Sequence, residues 1–249
     1  MRFKFLVLPA MLIYTLHTNA QVADTTVKVV RPTGAGKAFL KSLYIAAPLV
    51  IMGSVGNADS DDLINKYGVR NERNEHFATF HTSIDNYLQF SPIAAMYAMN
   101  AMGLKGKHGV WKQTALLVKS ELIMNAIVFP LKNWTKVERP DGSNYHSFPS
   151  GHTAQAFLSA ELLRKEYGQQ YPWLAVGGYM AATATGILRI MNNKHWVTDV
   201  MAGAGIGILS VNLAYLMQSN RHHAGAKKLQ AVPFYGTAGP GIYCTYSIR

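Results

Sequence analysis

The sequence predicts an all-α fold, an up-and-down bundle of about six core helices, and three observations predict it. Apolar stretches of helix length rather than strand length recur at 38–56, 86–104, 113–131, 171–188 and 200–220. The last two carry no charge and are rich in Gly and Ala, which suits helices that pack closely. Helix punctuation stands where such a bundle needs it, with Pro92 near one start, Ser150 at another and Gly168 after Tyr167.

Each element follows in order. Residues 1–20 read as a signal peptide: Arg2 and Lys4, an apolar run from Leu6 to Leu16, then Thr18-Asn19-Ala20 as a cleavage site. Gln21 rules out a lipid-modified cysteine at the new terminus. Residues 21–37, with Pro32, Gly34 and Gly36, are a loose lead-in to a domain spanning 38–220. Its first segment, 38–56, is interrupted by Pro48, and 57–85 is a polar loop with a short helix. A helix is expected from Ser150 to about Tyr167, because Ser is a good N-cap. The remaining tail, 221–249, is basic and then extended, as a strand or hairpin near Val232 and Tyr243.

Composition bounds the function. Charged residues make up 15% of the 249, against about 25% in an average soluble domain, while mean hydropathy is only +0.04. A transmembrane placement and a soluble one both stay open on those figures. The net charge of +11 favours anionic partners: phosphate substrates, lipid head groups or nucleic acid. Nucleic acid is disfavoured, because no reading motif or basic stripe interleaved with aromatics is present. Cys244 is the only cysteine, so neither an internal disulfide nor a cysteine metal cage can form. Nothing implies an obligate protein partner. Lys119 and Glu121, midway along 113–131, argue against full lipid exposure of that helix.

Three clusters carry the chemistry. Lys132 and Arg139-Pro140 close one helix, Pro149-Ser150-Gly151-His152 opens the next, and Arg189, His195 and Asp199 bracket the last turn. In an up-and-down bundle all three fall at the same end. Taken singly they are ordinary: cations at helix ends, a capping histidine, a surface His–Asp pair. Together they offer cations that grip phosphate oxygens, a helix start that Ser150 and Gly151 open to an anion, and two imidazoles. Asp199, four residues after His195, can orient that ring as a nucleophile. The loop 57–85 shares this end and holds six acids against three bases, whereas the opposite connections carry Lys105, Lys107, Lys112, Arg164 and Lys165. If the helices cross a membrane, the basic-loop rule puts the motif end outside the cytoplasm. A cleaved signal conflicts with that topology, since Lys28, Arg31, Lys37 and Lys41 then precede the first helix on the inner side.

These residues resemble the type 2 phosphatidic acid phosphatase (PAP2) superfamily, whose pattern is Lys-x6-Arg-Pro, Pro-Ser-Gly-His and Ser-Arg-x5-His-x3-Asp. The first two parts are complete, and the third has Leu188 in place of Ser. The resemblance covers roughly 38–220 and implies a PAP2/haloperoxidase-like bundle. It implies His195 as nucleophile, Asp199 orienting it, and His152 as general acid and then base. Lys132, Arg139, Arg189 and the Ser150–Gly151 turn would bind phosphate, with no metal and no cofactor. A phosphatase acting on a lipid-linked phosphate is expected, lipid A phosphate among the candidates, in the bacterial inner membrane with a periplasm-facing site. The alternatives are a soluble periplasmic acid phosphatase and a vanadate-dependent haloperoxidase. Asp59-Ser60-Asp61-Asp62 reads as a solvated turn rather than a metal site.

Overall fold

The computed structural model describes residues 34–58, 65–223, 229–236 and 239–246. The signal peptide at 1–20 and the acidic run at Asp59, Asp61 and Asp62 lie outside the described residues. Six helices form the described body: α1 Gly34–Ala58, α4 Ser91–Ala101, α5 Val110–Thr135, α6 Gly151–Tyr167, α7 Pro172–Met191 and α8 Val197–His223. Two more, α2 Lys66–His76 and α3 Ile84–Leu88, lie in and just beyond 57–85, the stretch read as a polar loop with a short helix. The tail forms an antiparallel hairpin, β1 Leu229–Gly236 and β2 Gly239–Tyr246, with Val232 opposite Tyr243.

The bundle is built around α6, which packs on α4, α5, α7 and α8, while α1 lies along α8. Its start is fixed locally. Ser150 is the N-cap, extended at ψ 113°, and its hydroxyl accepts from the Thr153 amide. Pro48 does not interrupt the first segment: α1 begins at Gly34 and runs through it. Alternate glycines set the spacing of α8. A Cβ at Gly203 would stand 2.5 Å from the Ser150 carbonyl, and one at Gly207 2.3 Å from that of Ala154. Backbone therefore meets backbone where α8 crosses α6, as small-residue helix contacts allow. Leu158, Leu162, Leu116, Met96 and Val211 fill the core above that contact.

The outside is as apolar as the inside. α1, α5, α7 and α8 are each long and apolar enough to cross a membrane. Leu122, Phe129, Trp111, Trp173, Val176 and Met180 are all exposed. Trp111 and Trp134 stand near the two ends of α5, about 35 Å apart along a helix rising 1.5 Å per residue, close to the thickness of a bilayer core. Polar groups turn inward instead. Lys119 reaches Gln218 on α8, and Glu121 accepts from Gln155 on α6. Their position in the middle of α5 is thus compatible with a lipid-facing opposite side.

Candidate active site

The Lys132–Arg139 cluster begins where α5 ends. Lys136 adopts the left-handed conformation at φ 48° and turns the chain out of the helix. The loop that follows is pinned at Val137, whose carbonyl accepts from Ser147, and at Arg139, whose amide donates to the Asn144 carbonyl. Lys132 donates to the His146 carbonyl at 2.9 Å. Its Cε stands 4.0 Å from where a Cβ on Gly151 would lie, so the lysine stem runs beside the first turn of α6.

Ser150 itself is committed to structure. It is buried, its hydroxyl pairs with Thr153 at 2.9 Å, and its amide donates to the Asp199 carbonyl at 3.0 Å. The last bond stitches the start of α6 to the start of α8. Any contribution of the Ser150–Gly151 turn to an anion therefore comes from Gly151 and His152, whose amides belong to the first helical turn.

His195 precedes α8 and is buried with Asp199, the ring Nδ1 standing 3.5 Å from Oδ2. That distance is long for a hydrogen bond, and Nδ1 and Asp199 Oδ1 have no hydrogen-bond partner. Asp199 Oδ2 is held from two other directions, by the Ser147 hydroxyl and by the Trp196 amide at 2.9 Å. The carboxylate is thus fixed in place beside the imidazole. Burial pushes His195 down to about 4, against the opposing pull of Asp199. The ring is neutral at pH 7, with a free lone pair to offer.

His152 faces a different neighbour. Its Nε2 lies 2.9 Å from Asn86 Oδ1, and a carbonyl oxygen can only accept, so Nε2 carries the proton. Burial and then Arg189 push this ring down to about 4 as well, with Arg139 and Lys132 acting in the same direction. Arg139 is held below the ordinary guanidinium range by burial and by Arg189. Lys132 of α5 and Arg189 of α7 thus act on both imidazoles, and Arg139 of the loop after α5 acts on His152.

Arg189 is buried and donates to Asp85 Oδ2 at 2.7 Å. Asn192 donates to the other Asp85 oxygen at 3.3 Å and exchanges hydrogen bonds with the Thr82 backbone. Arg73 on α2 secures the same junction by donating to the Met191 carbonyl at 2.8 Å and to that of Phe80 at 3.0 Å. Sequence reasoning missed Asp85, Asn86 and Ser147. Thr82-x-x-Asp85 is a helix-start pattern, and Ile84 donates to the Thr82 hydroxyl, but nothing near Asp85 announces an arginine 104 positions away. Leu188 supplies no side-chain hydrogen bond; Arg189 is seated by Asp85 instead.

A family model for the PAP2 superfamily matches residues 113–223. Lipid A 1-phosphatase of Porphyromonas gingivalis is 45% identical over 141 residues, which are 55% of this chain and 31% of that protein. Lipid A 1-phosphatase of Helicobacter pylori strain 26695 is 34% identical over 77 residues, 30% of this chain and 38% of that one. The chain thus spans under two-fifths of the length of either curated relative. The crystal structure of Aquifex aeolicus LpxE has 20% identity and a TM-score of 0.47, covering 62% of this chain and 97% of that chain. All three clusters, from Lys132 to Asp199, fall inside the stretch from Gln113 to His223 that resembles the PAP2 superfamily.

Proposed function

We propose that the protein is a phosphatase that hydrolyses a phosphate ester of a membrane lipid, through a phosphohistidine, at a site facing the periplasm. One observation carries the reading: Lys132, Arg139 and Arg189 act together on His152, and His195 lies buried against Asp199. His195 has Nδ1 toward Asp199, which leaves Nε2 to attack phosphorus. The P–O ester bond breaks as the P–N bond forms, and His152, protonated on both ring nitrogens once the phosphate is bound, gives one proton to the leaving oxygen and becomes neutral. Water then loses a proton to His152, its oxygen attacks phosphorus, and the P–N bond breaks to release phosphate. Such transfers are driven by positioning and charge neutralisation, which the three cations provide. A phosphate dianion held by those cations opposes their push on His152 and raises its proton affinity when the acid is needed.

The identity to two proteins named lipid A 1-phosphatase supports lipid A phosphate as the substrate. Four membrane-capable helices, and apolar side chains exposed along them, support an integral membrane protein over a soluble acid phosphatase. The test is phosphate release by purified protein from lipid A, phosphatidate, isoprenyl diphosphate and p-nitrophenyl phosphate. Lipid A should give the highest kcat/KM, and an acid-labile, base-stable phosphoenzyme should be trapped. Release that survives His195→Ala sinks the proposal.

A further inference from the structure

Glu121 stands midway along α5, in a helix long and apolar enough to cross a membrane, and the reaction above gives it no task. A carboxylate at that depth is costly and ordinarily serves a function. The residue is half-buried, and its neighbour Leu122 is exposed. Gln155 of α6 donates to its Oε1. Gln155 is itself buried and donates to the Ser159 hydroxyl of the same helix at 3.4 Å as well.

The position of this pair ties it to the phosphate site. Glu121, Asn125 and Lys132 are spaced by four and seven residues, so they share one face of α5. Gly151 and Gln155 are four apart and share a face of α6. The Lys132 stem runs beside Gly151, and Glu121 meets Gln155, so both contacts belong to one seam between α5 and α6. Lys132 and His152 stand at its upper end, and Gln155 lies about 6 Å, one helical turn, below Gly151.

The seam offers acceptors. Asn125 is half-buried and spends its amide nitrogen on the Glu121 carbonyl at 2.9 Å, which leaves its side-chain oxygen to accept. Among the described residues, Glu121 accepts through Oε1 from Gln155, and Oε2 stays open. The charged parts of a lipid headgroup lie at or above the level of its phosphate. Below the phosphate, where this seam descends, a lipid carries its glycerol or amine linkage and the first carbons of its chains. The donors available there are neutral hydroxyls and amide N–H groups.

We propose that the seam reads the start of the substrate's acyl chains, with Glu121 and Asn125 accepting hydrogen bonds from a hydroxyl or amide N–H just below the phosphate. The proposal rests on the lipid-phosphatase reading and narrows it to lipids whose chains are amide-linked or hydroxylated. Both side chains select the substrate and take no part in bond breaking.

The test is a matched pair of substrates in detergent. Ceramide 1-phosphate has an amide N–H and a hydroxyl close to its phosphoester, whereas phosphatidate has two esters and no such donor. Full-length wild type, Glu121→Gln and Glu121→Leu are compared on both, with p-nitrophenyl phosphate as the control for folding and chemistry. In wild type, KM for ceramide 1-phosphate should lie about 10-fold or more below that for phosphatidate, as one hydrogen bond to a charged group provides. Glu121→Leu should erase that preference while kcat and p-nitrophenyl phosphate turnover stay within about twofold. Glu121→Gln, which keeps an acceptor oxygen, should retain part of the preference. The proposal is overturned by a wild type without preference, by a preference that survives Glu121→Leu, by Glu121→Gln losing as much as Glu121→Leu, or by equal losses on all three substrates. Thermal unfolding in detergent adds a readout without turnover: ceramide 1-phosphate should raise the wild-type midpoint more than phosphatidate does, and Glu121→Leu should respond to both alike. If wild type releases phosphate from neither lipid, the phosphatase reading fails, and the thermal shifts still decide whether the seam selects donors.

Discussion

At the scale of single residues, the two imidazoles differ in what holds them. His195 faces a carboxylate that can orient it while burial keeps it neutral, as the proposed nucleophile requires, and His152, the proposed proton carrier, faces an amide oxygen. His195→Ala should abolish turnover of every substrate. His152→Ala should cost about 10²–10⁴-fold on a natural ester but much less on p-nitrophenyl phosphate, whose leaving group needs no proton. The pH profile follows the same logic. Above 6.5 even an unperturbed imidazole is mostly neutral; because burial lowers His195 to about 4, it remains neutral through the window between the two values as well. The acid limb of kcat/KM for p-nitrophenyl phosphate should therefore fall near 4 rather than 6.5. Asp85→Asn removes the charge that seats Arg189, and truncating one side of a buried pair is worth about 3–5 kcal/mol. Its expected signature is a fall in kcat/KM with a lowered thermal midpoint, partly restored by bound phosphate.

Among the elements, the helices were legible and their clasp was not. Ser150 and Gly168 bracket α6 as the sequence predicts, because capping is a local interaction. The convergence of Lys132, Arg139, His152, Arg189 and His195 was legible too, since antiparallel neighbours alternate ends. One short helix was expected in 57–85, but how α2 and α3 are held was hidden for the opposite reason: their anchors, Arg73 to Met191 and Asp85 to Arg189, join residues more than 100 positions apart. Among six acids in one polar stretch, nothing marked Asp85 for burial. Ser147 escaped for a similar cause, as its partner Asp199 arrives only when α8 docks on α6. That docking has a sharp steric test. Gly207→Leu places a side chain where the Ala154 carbonyl already sits, and overpacking of this kind costs about 1–3 kcal/mol or more. Thermal unfolding in detergent should show a clearly lowered midpoint, whereas Gly177→Ala, with open space around its position, should leave the midpoint unchanged.

For the whole molecule, the distribution of polarity decides the setting. Buried Glu161 and Glu166 are answered by Arg164, Lys165, His108 and Tyr179 inside the bundle or at the end away from the motifs, while Trp111, Trp134, Trp173, Leu122 and Phe129 are exposed. Composition left this open because mean hydropathy averages an apolar shell with a polar interior. The protein is expected to partition into the detergent phase and to need detergent for solubility. Topology can be read with one cysteine: in a Cys244→Ser background, Ser143→Cys on the exposed motif loop should react with an impermeant maleimide added to spheroplasts. Labelling only after lysis would put the motif end in the cytoplasm.

Five residues of α3 carry a consequence for any attempt to move this chemistry elsewhere. Asp85 and Asn86 are adjacent, yet one grips an arginine of α7 and the other a histidine of α6. A scaffold grafted with every signature letter but lacking that small brace would keep the right alphabet with slack spelling. Its guanidinium and imidazole would wander independently, and the graft would bind anions without turning them over.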